Sequence, residues 1–420
     1  MEEKTTDEKN FKLISLVLGI KSLAGNLAEG FVSLYASQLG ITKSVIGLMV
    51  GIREVFALSF QFIWAEVSDK IGKRKIFIQL GMLISAFIWI MMALVKDTTW
   101  FVFLAGIQGI FIAMAGPMTT AILTQITTIQ TRPRFMAKIF STIGIFSLIG
   151  ISVSTILLIF SPIPVLWCLA AVALAVAYVI IGRFTEPSFK ADGNIQFIKS
   201  LKTVVFDYVN KRELRRFIIP VTLLYLSSYL VGGFLSIFIV QDLGASKSFY
   251  AVCIFAYTIF WMLTQKMWSR ISEVHGRKSV IINSVYLCSL SLIVMAFSKD
   301  KWWMFFGYII NGIAWGGLNN GLDTLLMDLV PEANRAQYIA FVNVLIGSVA
   351  LLAPIIGGLI AQYSSIRIII IIALIVRAIT IPFFFRVEEK QKRRFYPLSR
   401  EIHKTIHYAL KITHNIFHKH

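Results

Sequence analysis

Residues 43–74 read KSVIGLMVGIREVFALSFQFIWAEVSDKIGKR. From 43 to 66 the run is apolar and long enough, at ~1.5 Å per helical residue, to cross a ~30 Å hydrocarbon layer. Its strongly polar interior residues are Arg53, Glu54 and Gln61, and it closes on a charged turn around Gly72. Working outward, runs of this length recur at 12–38, 43–66, 76–95, 100–126, 137–160 and 164–183. After an interruption they continue at 215–241, 246–270, 279–297, 302–328, 338–362 and 366–386. In lipid a lone segment satisfies its backbone only as a helix, so the expectation is an all-α membrane protein with twelve transmembrane helices. The chain is 57% hydrophobic and 15% charged, with a mean hydropathy of +0.74. The composition argues against a soluble enzyme, at ~25% charged, and excludes a disordered chain.

Charge sets the orientation. Lys43, Lys96, Lys247, Lys299, Lys301 and Arg367 fall in one set of loops, and Lys21, Arg53 and Arg377 fall inside spans. The remaining 32 of the 41 Lys and Arg lie on the other side, with both termini. That asymmetry predicts cytoplasmic termini and a plasma-membrane protein. It also accounts for the net charge of +19 without a nucleic-acid partner. The first span holds Lys21 and Glu29 and lacks a small-residue cleavage site, so it reads as a span and not as a signal peptide. Cys168, Cys253 and Cys288 are isolated in apolar runs, as core residues are.

The chain repeats itself. Leu39-Gly40 and Lys43-Ser44 recur 204 residues later as Leu243-Gly244 and Lys247-Ser248, and Gly72-Lys73-Arg74 as Gly276-Arg277-Lys278. Ile107-Gln108-Gly109-Ile110 recurs as Ile310-Asn311-Gly312-Ile313, and Arg132 and Gly144 match Arg335 and Gly347, all at 203. Six spans separate the copies, so both halves have the same orientation. The expected layout is an N-tail at 1–11, a six-helix half at 12–183, a linker at 184–214, a second half at 215–386 and a tail at 387–420. Two parallel halves suit alternating access around a midplane site. Within the linker, 195–209 has the pattern of an amphipathic surface helix.

The turn Ala65-Glu66-Val67-Ser68-Asp69-Lys70-Ile71-Gly72-Lys73-Arg74 resembles the signature loop of the major facilitator superfamily. Ala65 replaces its first Gly. The second copy, from Ser269 to Lys278, keeps Glu273, Gly276, Arg277 and Lys278. The resemblance spans residues 12–386. It implies that Asp69, Gly72, Lys73 and Arg74, with Glu273, Gly276 and Arg277, form a latch that holds the halves together on the cytoplasmic side and releases them as that side opens. Asp328, Pro331, Glu332 and Arg335 look like the companion motif. It further implies that spans 1, 4, 7 and 10 line a central cavity. Signatures of proton-coupled drug exporters are missing: Ala105 stands where an Arg precedes Gln108-Gly109, and the fifth span has no Pro between 141 and 160.

Ionisable residues at membrane depth are functional-site hypotheses. Glu29 lies nine residues from Gln38, and Arg53 lies ten from Lys43, across a short turn. At ~1.5 Å per residue they share a depth and are expected to pair. Lys21 is deeper, with Glu54 as its partner only if the helices are offset. Asn26 and Glu29 lie ~60° apart on one helix face. Further candidates for solute or proton contact are Gln108, Tyr225, Tyr229, Asn311, Trp315, Asn319, Asn320 and Asp323. Arg377 is expected to pair structurally or to snorkel.

The tail holds Ile402, Ile406, Leu410 and Phe417 on one face, among basic residues, as a helix on an anionic inner leaflet does. His403 and His407, and His414 and His418, are spaced i, i+4, without a carboxylate or Cys to complete a metal site. HExxH, GxSxG and Walker A patterns are absent. The expectation is therefore a non-enzyme without cofactor or metal. It is a monomeric secondary transporter moving a small solute, with proton symport as the leading mode. A multidrug/proton antiporter is the alternative, and a non-transporting receptor a third.

Overall fold

A computed structural model of the chain describes residues 2–126, 132–186, 208, 210–330 and 335–389. Twelve helical units follow in the order of the expected spans. α1 runs Glu2–Ala28, tightens to a 3-10 turn at Glu29–Phe31 and resumes over Val32–Gln38. α2 is Lys43–Ile71 and α3 Lys75–Leu94. α4 is Thr98–Ile112 and, after a break, Ala115–Ile126; α5 is Arg132–Phe160 and α6 Ile163–Gly182. α7 is Arg212–Gly232, prolonged by Leu235–Ile237 and a π turn at Phe238–Asp242. α8 is Lys247–His275, α9 Arg277–Ala296, α10 Lys301–Leu329, α11 Arg335–Tyr363 and α12 Ile366–Phe385. Eleven are long and apolar enough to cross a membrane. α10 has the length, but Asn311, Asn319, Asn320 and Asp323 make it more polar. Of the amphipathic stretch expected at 195–209 only Tyr208 is described; the rest of it, Pro331, Glu332 and the tail beyond 389, with its histidines, lie outside the described residues.

Local chemistry explains the helix ends, and it repeats. Gly40, Gly72, Gly244 and Gly276 have φ of 79°, 71°, 64° and 92°, which a side chain would strain. They form two pairs 204 apart. The Asp97 carboxylate accepts the N–H groups of Thr99 and Trp100, and that of Asp300 the N–H of Trp302, so both cap a helix start. The Trp64 indole donates to the Ile110 carbonyl at 2.9 Å and Trp268 to Ile313 at 2.8 Å.

The repeat differs from the sequence alignment at one turn. Glu186 accepts from the backbone N–H of Arg74, and Glu389 from that of Arg277. Lys75 donates to the Gly182 carbonyl, and Lys278 to that of Phe385. Arg74 therefore corresponds to Arg277 and Lys75 to Lys278, at 203. Lys73 is the extra residue at which 204 becomes 203.

Within each half, neighbours pack alike: α1 on α5 and α6, and α7 on α11 and α12; α2 on α4, and α8 on α10. The halves meet along α2–α11 and α5–α8. Contact is tightest at the end that carries the 39–42 and 243–246 turns, here the distal end. A Cβ on Gly47 would overlap the Pro354 carbonyl, and one on Gly358 would come within 2.5 Å of the Lys43 carbonyl. Close approach of small residues is how helices associate without a hydrophobic drive from lipid. Ser37 donates to Gln241, the Lys43 N–H to Gln362 and the Tyr250 hydroxyl to the Gly30 carbonyl across this seam. Toward the proximal end, none of the residues 52–67 of α2 or 257–267 of α8 is buried. Burial along the seam helices therefore falls off from the distal end toward the proximal one. Exposed Phe87, Phe103, Ile156, Val179 and Ile375 give the outside a lipid-facing surface.

Candidate functional site

The 3-10 turn in α1 places Glu29 at the seam. Its Oε2 is 3.3 Å from Arg53 Nη2, and Arg53 Nη1 is 3.8 Å from Glu54 Oε1. Glu29 and Arg53, expected at one depth, are brought together. Glu54 is adjacent to both and not to Lys21, because α1 and α2 are not offset enough. The Arg53 side chain is 16% exposed, against 43% for Glu29, and its Nε is buried without a partner. Arg53 is thus the fixed member and Glu29 the accessible one. α2 holds this position because a Cβ on Gly109 of α4 would overlap the Arg53 carbonyl.

These groups line a cavity of about 240 Å³ between the halves, with Ser33, Tyr229, Ser236 and Tyr250. Toward the proximal end an aromatic wall continues. The Tyr225 and Tyr229 rings stack at 6.2 Å, and Trp315 stands edge-on to Tyr225 at 5.8 Å. Asp323 is the charged neighbour of Tyr225, and Glu54 that of Tyr229. Asp323 is exposed and has no hydrogen bond or ion pair among the described residues. Asn320 donates to Gln265 at 2.7 Å, and Asn319 is half-buried on the same helix.

Other expected members are elsewhere. Asn26 donates to the Ser22 carbonyl of its own helix, a turn back, and does not share the Glu29 face on the cavity. Gln108 is 0% exposed inside the first half, with both amide atoms unpartnered. Asn311 lies beside Cys288, at 4.0 Å from its Sγ. Arg377 neither snorkels nor meets an acid. It is 2% exposed and donates to the Ser227 and Ser228 hydroxyls at 2.8 and 2.6 Å, tying α12 to α7. Tyr250 was not legible as a site residue, since its neighbours in sequence are plain span. Glu186 and Glu389 were missed, although the signal was there: acids 203 apart that follow each half's last helix.

At the proximal turns, Arg74 Nη2 is 2.9 Å from Asp69 Oδ1. In the second half Arg277 pairs with Asp328 and donates to the Thr324 carbonyl at 2.6 Å. Both ion pairs stay within their own half. Gly72 and Gly276 make the turns, Lys73 is exposed, Glu273 is on the last turns of α8, and Arg335 opens α11 with its side chain outside the description.

A duplicated six-helix bundle with a polar, charged cavity on its pseudo-twofold seam defines the class: a multi-pass membrane protein built from two like halves. The Major Facilitator Superfamily profile matches residues 14–219 and again 217–415, and the chain belongs to that superfamily. Among curated relatives, a class H tetracycline resistance protein of Pasteurella multocida is 28% identical over 116 residues, 28% of this chain and 29% of that protein. The MFS-type transporter gkaD of Penicillium citrinum is 29% identical over 127 residues, 30% of this chain and 22% of that protein. The matches thus span less than a third of either relative's length. Among solved structures, a variant of the nucleoside transporter NupG superposes with a TM-score of 0.78 at 16% identity, over 91% of this chain and 100% of that one. That likeness concerns the fold alone.

Proposed function

We propose that the chain moves a small solute through the plasma membrane by proton-coupled alternating access, with symport as the leading mode. In the orientation given by the basic loops, both termini are cytoplasmic and the open proximal end faces the cytoplasm. The closed distal seam then makes this an inward-facing state. One observation carries the reading: an accessible carboxylate, Glu29, shares a fixed guanidinium, Arg53, with Glu54 on the wall of the cavity between the halves. Protonating Glu29 removes its hold on Arg53. A solute that binds Arg53 or Glu54 is then linked to that proton, since each alters the other's binding. The proximal pairs Asp69–Arg74 and Arg277–Asp328 are the latch partners, each formed within its own half.

The test begins with purified protein and a thermal-shift screen at two pH values against sugars, organic acids, amino acids and lipophilic cations. A ligand at ~100 times its Kd adds ~2.7 kcal/mol. The compound found is then followed in proteoliposomes under a pH gradient. Glu29→Gln is expected to abolish the gradient-driven component while leaving binding measurable; coupled transport at the wild-type rate in this variant defeats the proposal.

Export of lipophilic cations is the second reading. Among the described residues the cavity lining sets Glu29 and Glu54 against Arg53, and the Tyr229 ring leads on to Tyr225 and Trp315, rings that suit a flat cation. The relative named for tetracycline resistance points the same way. A thermal shift confined to lipophilic cations would favour it.

A further inference from the structure

Behind Glu29, on the side away from the central cavity, α1, α3, α4 and α6 of the first half line a partly open chamber of about 30 Å³. That is about the room of one water. Lys21, Gly25 and Glu29 lie on one wall, and Ser85 on another. The fourth helix is broken at 113–114, beside the chamber residues Ile112 and Ala115. In membranes, interrupted helices are tolerated where they line such spaces.

Lys21 makes no hydrogen bond or ion pair among the described residues. Its charged neighbour is Glu29. A cation at this depth without a partner is costly, so a partner is expected in some state of the cycle. Lys21, Gly25 and Glu29 are spaced by four and share one helix face. The Glu29 carboxylate already leans along this face: its Oε1 is 3.5 Å from where a Gly25 Cβ would stand. Gly25 leaves a lane, and Lys21 lies one turn beyond it. Arg53 and Glu54 from α2, Tyr229 from α7 and Tyr250 from α8 face Glu29 on the cavity side. From α3, α4 and α6, the chamber receives no charged group.

The distal seam ties down the turn that carries Glu29. Tyr250 of the other half donates to the Gly30 carbonyl, in the 3-10 turn, at 3.2 Å. Phe31 packs edge-on against the same ring at 5.7 Å. When the seam parts, this tie to the residue next to Glu29 is lost.

We propose that Lys21 is a second counter-ion for Glu29, and that the carboxylate passes over Gly25 from Arg53 into the Lys21 chamber as the distal end opens. Lys21 is then a positioning residue that sets the balance between the two states. This rests on the transport reading above, but its test needs neither substrate nor proton gradient, so the two fail separately.

Spin labels are placed through Lys96→Cys and Lys299→Cys, exposed on the distal ends of opposite halves, in a Cys168→Ala background. Pulsed dipolar distances are recorded on the full chain in lipid nanodiscs. Lys21→Met should shift the distal-open to distal-closed ratio toward closed, by about tenfold for one lost charge contact net of desolvation. Lys21→Arg should restore the ratio. On a Glu29→Gln background, Lys21→Met should change nothing. Gly25→Val, which blocks the lane and keeps the charge, should shift the ratio in the same direction and guards against a misfolded Lys21 variant. An unchanged ratio in both Lys21→Met and Gly25→Val overturns the proposal. So does a Lys21→Met shift that persists with Glu29→Gln, because a packing role does not need the carboxylate.

Discussion

Lys21, Glu29, Arg53 and Glu54 of the first half correspond, 204 residues on, to Tyr225, Gly233, Tyr257 and Thr258 of the second. The backbones around them match closely. α1 is interrupted at Glu29–Phe31, and α7 between Gly232 and Leu235. Gly109 abuts the Arg53 carbonyl as Gly312 abuts that of Tyr257. One scaffold therefore carries charge in one copy and rings or small neutral groups in the other. The fourth helices diverge the opposite way. Gly116, Pro117 and Thr120 of α4 stand where α10 has Asn319, Asn320 and Asp323. Pro117 lacks an N–H and sits in the first turn of the resumed α4, where that loss is tolerated. α10 runs on unbroken. Packing between helices is held in common, and the lining is free to specialise, because a residue facing a cavity has no partner shape to match.

Paired substitutions can break this comparison. The largest difference is expected between Arg53→Met and Tyr257→Phe. The first leaves Glu29 and Glu54 without their shared cation and should slow transport at least about tenfold, once partial exposure is allowed for. The second should leave the rate within about twofold, since its hydroxyl lies outside the charged cluster. Equal losses, read as initial rates in proteoliposomes, would mean that the halves share the chemistry. Next come Gly109→Ala and Gly312→Ala. Each forces a Cβ against a carbonyl and should cost ~1–3 kcal/mol, read as Tm in detergent. Only Gly109→Ala should also slow transport, because the backbone it displaces is that of Arg53. The smallest effects belong to Trp64→Phe and Trp268→Phe. Each loses one indole–carbonyl bond, for about 1 kcal/mol, and Trp268, fully buried, should cost about 2. A larger loss at Trp64 would unsettle the equivalence of the halves.

Much of the architecture was readable because its causes are local. The length and apolarity of twelve runs, the left-handed glycines at 40, 72, 244 and 276, and the caps at Asp97 and Asp300 all follow from a few neighbouring residues. The Glu29–Arg53 approach was readable too, since a four-residue turn ties two helices in register and depth reduces to counting. Gln108 was placed on the cavity by resemblance, and the structure buries it, because which way a helix face turns depends on the helices packed around it and not on its own sequence. The same holds for Lys21, whose partner was sought on α2 and whose space is bounded by α3, α4 and α6.

The sequence by itself determined a twelve-helix, duplicated membrane chain and the depth of its charges, for period, length and turn chemistry are written residue by residue. Only the tertiary structure decided which end is closed, that Tyr250 reaches Gly30, and that Glu29 lines both the Arg53 cavity and the Lys21 chamber. Those facts depend on helix rotation and on how one half leans on the other. Both are set by packing summed over surfaces far apart in the chain.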